Sequence, residues 1–275
     1  MESKTYNLLA FNQTITAPKT QEYLESLLHE RKGAFVNNIT ALVANNTSLQ
    51  SCAPFTLMFA ALKATGLDLP LDPSLGMAYV IPYKNNRTGE TVAQFQIGYK
   101  GFYQLAVRSG QYRRINTSDV REGELVRRDR LTGDFEFKFI EDDDVRLKTP
   151  IIGYVSYFSL FNGMESTLYM SKKEVEEHAK RYSQTYRAKD NRSSKWVTDF
   201  DAMALKTVLK LNLSKNGVLS VELRDAIKAD QSVMREEGNY EYDDNERSIE
   251  DEQRAAEVAQ KFADYEVVDE EQANK

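Results

Sequence analysis

The sequence predicts an α+β fold in which antiparallel hairpins pack with helices. From Met77 onward, apolar and polar residues alternate with the period of two that is typical of half-buried strands. Before Met77, and again after Ser171, apolar residues recur with helical spacing. Apolar residues make up 41% of the 275 residues, enough for a substantial core. We therefore expect a compact core of antiparallel sheet packed with helices, followed by an acidic, flexible tail.

The N-terminal region, about residues 20–66, is expected to be helical. Helical spacing over Tyr23–Leu28 and again over Phe35–Val43 predicts two helices or one kinked helix. Pro54 fits the first turn of a further helix that is apolar nearly all round, and Gly66 suits the position after its end. A helix without a polar face belongs in the core.

Three hairpins are predicted in the region that follows. MAYVIPY pairs with TVAQFQI, and GELVRRDR pairs with DFEFKFI around LTGD. YVSYFSLF and MESTLYM flank Asn162-Gly163, a strong signal for a two-residue turn. Between the first two hairpins, Tyr99–Ser109 has helical spacing, and Gly110 ends it.

Two more helices complete the predicted core of residues 77–229. Ser171 and Glu174 match a capping box that opens a helix through about Tyr186. Another helix is expected from about Asp199 to Leu213.

Charge divides the chain into a basic core and an acidic tail. Residues 229–275 hold 16 Asp and Glu against 5 Lys and Arg, whereas residues 1–228 hold 26 against 31. A basic core is suited to binding a polyanion. An acidic tail either binds a separate partner or is simply solvated. We assign residues 1–229 to the core and residues 230–275 to a largely disordered tail.

Other features of the composition exclude several classes of protein. No apolar run is long enough to span a bilayer and no charged-then-apolar leader is present, so a cytoplasmic protein is expected. The single cysteine, Cys52, predicts a buried thiol. A phosphate-binding G-x-x-x-x-G-K-[ST] motif is missing, which argues against an ATPase. His29 and His178 stand far apart without matching cysteines, which argues against zinc.

The segment FQIGYKGFYQLAVRSGQYRR concentrates five aromatic residues, three glycines and four cations. On its helix, Lys100, Gln104 and Arg108 share one face. Gly98 and Gly101 lie where strand passes into helix. We expect them to supply unusual backbone angles and to leave N–H groups open to a phosphate.

Cations outnumber carboxylates in two regions. Residues 79–130 hold ten against five, and residues 172–215 hold eleven against six. In the second region Lys206 and Lys210 stand at i and i+4, so two helices could wall a groove that attracts phosphate regardless of sequence. For any one cation, a solvated surface position is the simpler interpretation.

The candidate nucleic-acid contacts are these cations with the polar and aromatic residues among them. Isolated aromatic residues usually belong to the core, and stacking on bases is the alternative for the four among the cations, Tyr103, Tyr112, Tyr186 and Trp196. The candidate set is Lys84, Gln96, Lys100, Tyr103, Gln104, Arg108, Tyr112, Arg113, Arg114, Arg187, Lys189, Arg192, Lys195, Trp196, Lys206, Lys210 and Lys215.

Three long motifs, in this order and spacing, resemble the RecT family of phage and prophage single-strand annealing recombinases. They are GLDLPLDPSLGMAYVIPYKN, FQIGYKGFYQLAVRSGQYRRI and WVTDFDAMALKTVLKLNLSKNGVLS. The resemblance covers roughly residues 20–230. It implies ATP-independent pairing of complementary strands, on single-stranded DNA and the annealed duplex, by an oligomer that forms a ring or a helical filament.

The resemblance also implies an α+β core similar to other single-strand annealing proteins, in the cytoplasm of a bacterial host. No covalent catalysis and no cofactor are expected, and Mg²⁺ enters at most as a counterion of DNA. For the tail, the family suggests a companion 5′–3′ exonuclease or a host single-strand DNA-binding protein as partner.

Two other functions stay open at this stage. A coating protein would protect single strands without pairing them. A Mg²⁺-dependent nuclease would need carboxylates such as Asp199 and Asp201, or the run Asp142–Asp144. A helix N-terminus for Asp199 and a solvated turn for the run are the simpler interpretations, so Asp199 and Asp201 are only weak metal candidates.

Overall fold

The computed structural model describes residues 6–84, 89–192, 194–230, 233–234 and 240–241. Antiparallel sheets pack with helices in this part of the chain, which confirms the predicted fold class. The helices are α1 (Leu8–Thr16), α2 (Pro18–Leu28), α3 (Lys32–Ala44), α4 (Thr47–Gln50), α5 (Pro54–Gly66), α6 (Tyr99–Arg108), α7 (Asp143–Lys148), α8 (Lys172–Tyr182), α9 (Gln184–Arg187), α10 (Lys195–Thr198), α11 (Phe200–Asn216) and α12 (Val221–Ala229). The strands are β1 (Ala78–Lys84), β2 (Thr91–Ile97), β3 (Tyr112–Arg121), β4 (Leu125–Arg128), β5 (Phe135–Phe137), β6 (Ile151–Leu160), β7 (Glu165–Ser171), β8 (Val233–Met234) and β9 (Tyr240–Glu241).

The N-terminal helices follow the predicted spacing with two differences. A 3₁₀ turn over His29–Arg31 separates α2 from α3, so the two-helix alternative is correct. Helix α5 starts at Pro54 as expected, but Gly66 is its last residue rather than the residue after its end. Asp68 takes the left-handed conformation there, with φ of 51°. A short polar side chain tolerates that conformation better than most others.

All three predicted hairpins are present. Strands β1 and β2 pair with each other, as do β4 and β5, while β6 lies between β3 and β7 in a three-stranded sheet. The β3–β6 ladder runs from Tyr112 opposite Leu160 to Arg121 opposite Ile151, with a bulge near each end. A further short pair joins β8 to β9.

The turn at Asn162-Gly163 is longer than predicted. The Leu160 N–H donates to the Met164 carbonyl at 2.8 Å, so the connection has three residues, Phe161 to Gly163. Gly163 adopts a φ of 87°, which glycine accepts without strain. The two-residue prediction is therefore wrong by one position, although strand pairing is unaffected.

Helix α11 covers one face of the three-stranded sheet. The Asn212 amide donates to the Ser156 carbonyl at 3.0 Å and accepts from the Ser166 hydroxyl at 2.8 Å. The opposite face is covered in part by the β4–β5 hairpin, whose Phe135 and Phe137 pack against Tyr169. The sheet is thus held between a helix layer and a hairpin.

Two apolar clusters form most of the core. The larger one joins the N-terminal helices to β1, β2, α6, α12 and the C-terminal half of α11. The smaller one surrounds Tyr154 and Val208 and includes α8 and α10. Cys52 is buried as predicted, and burial raises the pKa of its thiol to about 12. No helix in the described ranges has the length and apolar character needed to cross a membrane.

The predicted capping box of α8 is confirmed. The Ser171 hydroxyl accepts from the Glu174 N–H, and the Glu174 carboxylate accepts from the Ser171 N–H at 2.7 Å. The helix ends at Tyr182, and the separate turn α9 follows, so the predicted single helix through Tyr186 is divided.

Gly98 and Gly101 have a packing role that differs from the predicted one. Gly98 has ordinary extended angles, φ −80° and ψ 169°, and its N–H donates to the Met77 carbonyl at 2.8 Å. A Cβ at Gly98 would overlap the Gly76 carbonyl oxygen, and one at Gly101 would overlap that of Met77. Unusual angles are therefore not the reason for these glycines. The backbone at Gly98 and Gly101 passes so close to the backbone of Gly76 and Met77 that no side chain fits between them.

A methyl group at Gly101 should consequently be costly. We expect Gly101→Ala to lower the free energy of unfolding by about 1–3 kcal/mol or more, because the neighbour is backbone and cannot turn away. Gly33→Ala is the matched control: Gly33 lies in α3 with nothing within 4 Å of the added Cβ, so alanine should stabilise by up to about 1 kcal/mol. Urea denaturation measures both, and equal effects would contradict the packing role.

Candidate nucleic-acid interface

Helix α6 presents Lys100 to solvent from a firmly held position. Phe102, Leu105 and Ala106 are buried and form the inner face of the helix. The Tyr99 hydroxyl accepts from the Thr117 hydroxyl at 3.0 Å and ties the first turn to β3. Lys100 is exposed, with its aliphatic stem beside Gly76. The ammonium group therefore projects from a first turn that has little freedom to move.

Gln104 and Arg108, which share a face of α6 with Lys100, are less available to a ligand because they contact other parts of the fold. The Arg108 guanidinium donates to the carbonyls of Leu67 and Asp68 at 3.1 and 3.0 Å, where it satisfies the C-terminal end of α5. Gln104 is half-buried. Among the described residues, Lys100 forms no ion pair, which leaves it as the member of the stripe most accessible to a phosphate.

Lys206 and Lys210 do not form an exposed stripe on α11. Lys206 is 8% exposed, and its ammonium lies 3.7 Å from the Asp230 carboxylate, which is fully buried. Lys210 is half-buried and donates to the same carboxylate at 2.6 Å. The Ile97 N–H also donates to Asp230, at 2.8 Å. The prediction that these lysines wall an open groove is therefore wrong, because both ammonium groups form ion pairs with a buried carboxylate.

Burial and charge act in opposite directions within this cluster. Burial alone would raise the pKa of Asp230, but the Lys206 and Lys210 ammonium groups outweigh it and hold that pKa below its usual value. Burial lowers the pKa of Lys206, and Asp230 opposes the shift. Because the folded-state pKa of Asp230 is depressed, its contribution to stability is present above about pH 4 and is lost as the pH falls through that pKa.

A second exposed set of cations runs from the last residue of α9 to the first residue of α10. Arg187, Lys189 and Lys195 are exposed, and Arg192 is exposed although it pairs with Asp190 at 2.9 Å. The segment is anchored at both ends. Tyr186 packs 6.4 Å from the Trp196 ring, and the Asn191 amide donates to the Tyr186 carbonyl at 3.1 Å. Long cationic side chains are thus carried on an anchored loop.

A third set lies where β3 begins and α11 ends. The Tyr112 hydroxyl donates to the Val218 carbonyl at 3.1 Å, which brings these two ends together. Arg113, Arg114 and Lys215 are exposed beside this contact. The other two candidates stand at the β1–β2 hairpin, where Lys84 is exposed and Gln96 is half-buried.

The aromatic candidates divide between core and surface. Trp196 and Tyr112 are each 7% exposed, so packing accounts for both rings. Tyr186 is half-buried against Trp196, whereas Tyr103 is 36% exposed on α6. Stacking on a base stays a prediction, and Tyr103 offers the most ring surface for it.

Among the described residues, neither weak metal candidate joins a set of ligands. Asp201 accepts a hydrogen bond from the Tyr154 hydroxyl, and Asp199 occupies the N-cap position of α11. Asp142 caps α7, with its carboxylate accepting from Asp144 N–H at 2.9 Å. In the described ranges, no group of three or more His, Cys, Asp or Glu side chains is placed to hold a metal ion.

Several exposed cations lie outside the candidate set. Arg127, Arg128 and Arg130 lie on and next to β4, and Arg128 lies over the Phe135 ring at 5.5 Å. The cluster RRDR was the available signal, since it lies within the basic region 79–130. Arg127 and Arg128 are partly neutralised by Glu136 and Glu174.

Comparison with known proteins gives consistent matches over most of the chain. The sequence model of the RecT family matches residues 33–256. The uncharacterized protein YqaK of Bacillus subtilis (strain 168) is 39% identical over 233 residues, which cover 84% of this chain and 76% of YqaK. Protein RecT of Escherichia coli (strain K12) is 26% identical over 227 residues, which cover 79% of this chain and 78% of that protein.

Removing the shared carboxylate should destabilise the fold. We expect Asp230→Asn to lower the free energy of unfolding by about 3–5 kcal/mol, because two buried or half-buried ammonium groups lose their counter-charge. Asp190→Asn is the matched control, since it breaks a solvent-exposed pair and should change stability little. Urea denaturation at neutral pH compares the two, and a similar small effect at both positions would refute the role of Asp230.

Proposed function

This chain belongs to the RecT family, and we propose that it anneals complementary DNA strands without ATP. Membership of the family supports a role in DNA recombination by single-strand annealing, with DNA binding and oligomerisation. In the finer proposal, the oligomer holds both single-stranded DNA and the annealed duplex in a basic groove. It does so without regard to sequence.

Four of the exposed cations that have no carboxylate partner among the described residues carry this proposal. They are Lys100 in α6, Arg187 at the end of α9, Lys189 in the segment that follows, and Lys195 at the start of α10. Each projects from an element tied to the core, through Tyr99 in the first case and Trp196 in the second. Long cationic side chains on a fixed base suit a phosphate backbone whose path is not set by its sequence.

Annealing then follows from electrostatic neutralisation. Two DNA strands repel each other through their phosphates, and a shared basic groove offsets that repulsion. Contacts to phosphates and sugars leave the base edges free to test complementarity. Specificity comes from the bases, so no covalent step and no nucleotide hydrolysis are required of the protein.

The acidic C-terminal segment is proposed to bind a separate protein. The boundary that the sequence predicts, at residue 230, would separate Asp230 from Lys206 and Lys210 and would remove β8 and β9. We therefore place the start of the partner-binding segment after Tyr242, just beyond β9. A companion 5′–3′ exonuclease and a host single-strand DNA-binding protein are the proposed partners.

The proposed function is tested by annealing of two labelled complementary oligonucleotides without ATP, together with Lys100→Ala. We expect rapid fluorescence quenching with the wild type. For Lys100→Ala we expect weaker single-strand binding and a salt dependence of log K shallower by about 0.7 per subunit, because one phosphate contact is lost. Lys19→Ala is the matched control, since Lys19 is also exposed and is also the second residue of a helix, α2.

Three results would count against this proposal. Binding of single strands by the wild type without faster annealing would make the protein a coating protein. An equal salt dependence of log K for Lys100→Ala and Lys19→Ala would show that Lys100 is an ordinary solvated cation and does not contact a phosphate. A difference of more than about 2 kcal/mol between unrelated strands of equal length would show base-specific contacts.

Truncation separates the core from the proposed partner-binding segment. Removal of residues 243–275 should leave stability and annealing of bare DNA unchanged, since the Asp230 contacts are kept. Removal of residues 230–275 should lower the melting temperature sharply, because Lys206 and Lys210 lose their counter-charge. Annealing and thermal unfolding of both proteins check this expectation. Loss of annealing by the shorter deletion would place part of the DNA-binding surface after Tyr242.

A further inference from the structure

A cleft of about 230 Å³, here called the α3–α5 cleft, lies between α3, α5 and the segment that follows α5. Its inner wall is apolar, since Phe35, Ile39 and Leu69 line it and are buried. An apolar cavity of about 150 Å³ is large enough to bind benzene. The α3–α5 cleft therefore has room for one large apolar side chain, although it is smaller than the sites of about 300–1,000 Å³ that hold drug-sized ligands.

Small residues and a fixed turn keep the α3–α5 cleft open. Ala34 of α3 and Ala61 and Ala64 of α5 line it, and their side chains end at Cβ. Beyond α5, Asp68 in the left-handed conformation turns the chain back, and the Leu69 N–H donates to the Ala64 carbonyl at 2.9 Å. The walls are thus formed by hydrogen-bonded backbone, so the cleft is present before any ligand binds.

One cation stands at the rim of the α3–α5 cleft. Arg31 lines the cleft and is exposed, and in the described ranges it forms no ion pair. Two carboxylates close to it in sequence or at the cleft are already paired, Glu25 with Lys32 at 2.6 Å and Asp68 with Arg108 at 3.7 Å. The Arg31 guanidinium therefore keeps its five N–H donors for a ligand.

The other polar groups of the cleft differ in their availability. Thr65 donates its hydroxyl to the Ala61 carbonyl at 3.0 Å. Asn38 is exposed at the rim, and its side-chain amide has no hydrogen-bond partner within the described part of the chain. Glu30 is exposed next to Arg31 in the chain but does not line the cleft. An apolar cleft thus carries a cation and a free amide at its mouth.

We propose that the α3–α5 cleft binds the C-terminal residue of a partner protein, with an apolar side chain in the cleft and the terminal carboxylate on Arg31. A guanidinium binds a carboxylate through two parallel hydrogen bonds, and the Asn38 amide can donate a third. An internal peptide segment has no backbone carboxylate to offer Arg31. A DNA phosphate would pair with Arg31 but would leave the apolar wall without a ligand.

This inference goes beyond the proposed annealing activity. It places a site for a partner protein on the N-terminal helices, apart from the acidic C-terminal segment and from Lys100.

Peptide binding tests the site directly. Full-length protein is titrated into fluorescein-labelled Gly/Ser peptides that end in phenylalanine, leucine or tryptophan, and fluorescence anisotropy is recorded. We expect saturable binding of at least one peptide with a free C-terminal carboxylate. The same peptide with a C-terminal amide, or with serine as its last residue, should bind at least about tenfold more weakly. Equal binding of acid and amide, or no saturable binding of any acid, would overturn the proposal.

Substitution of Arg31 isolates the carboxylate contact. Arg31→Ala should weaken binding of the free-acid peptide at least about tenfold and leave binding of the amide unchanged, because only the acid interacts with the guanidinium. Lys19→Ala is the matched control, since Lys19 is an exposed cation of α2 that does not line the cleft. Unchanged binding of the acid by folded Arg31→Ala would overturn the proposal.

Filling the α3–α5 cleft provides an independent test. Ala34 and Ala41 are both exposed on α3, about two turns apart, and Ala34 lines the cleft whereas Ala41 does not. Ala34→Leu should weaken binding of the free-acid peptide at least about tenfold, and Ala41→Leu should not change it. Circular dichroism establishes that both variants are folded. Equal binding by the two variants would contradict a ligand side chain in the cleft.

DNA and a second copy of this chain are the other possible occupants. We expect the peptide affinity to stay unchanged when the protein is saturated with oligo(dT), and Arg31→Ala to anneal bare oligonucleotides as the wild type does. Loss of peptide binding on oligo(dT), or loss of annealing by folded Arg31→Ala, would assign the cleft to one of these occupants and overturn the proposal.

The proposed function fails separately from this site. A wild-type protein that binds the free-acid peptide but does not anneal complementary oligonucleotides would refute annealing alone. One that anneals but does not distinguish the acid from the amide would refute the partner site alone.

Discussion

The buried carboxylate of Asp230 joins parts of the fold that lie far apart in the chain. It accepts from the Ile97 N–H, 133 positions earlier, and from Lys210 on α11, and it lies next to Lys206. A buried charge is tolerated only with such partners, so β2, α11 and the end of α12 are held in one arrangement. Lys100 follows Ile97 by three residues. The position of this exposed cation therefore depends on a buried ion cluster.

Local patterns predicted much of the fold because their causes are local. The alternation of apolar and polar residues, together with the turn residues, was enough to predict the β1–β2, β4–β5 and β6–β7 hairpins. Helical spacing with Pro54 predicted α5, and the capping box predicted the start of α8. Helices α1, α4, α7, α10 and α12 were missed. They are short, and their stability comes from packing against elements that a sequence window does not contain.

The candidate site was harder to predict because the role of a lysine depends on its tertiary partners. At i and i+4, Lys206 and Lys210 look like a solvated stripe, but their carboxylate lies in the segment that composition assigned to the tail. A sequence signal did exist: α11 has apolar residues on nearly every side, and such a helix is usually buried all round. The glycines of α6 are a similar case. A glycine in a sequence indicates either an unusual backbone conformation or the close approach of another chain segment. Here the Gly76–Met77 segment, more than twenty residues earlier, approaches closely, and a local pattern cannot reveal that.

Strand β3 has consequences for solubility as well as for binding. Within the described chain it has a neighbour on one side only, β6, so its other edge carries backbone groups outside the ladder. An open edge of this kind invites another strand to extend the sheet, which is a route to aggregation. Arg113 and Arg114 at its start and a bulge near each end make β3 a poor template for such growth. Copies concentrated on one DNA molecule can therefore lie close together without continuing each other's sheets.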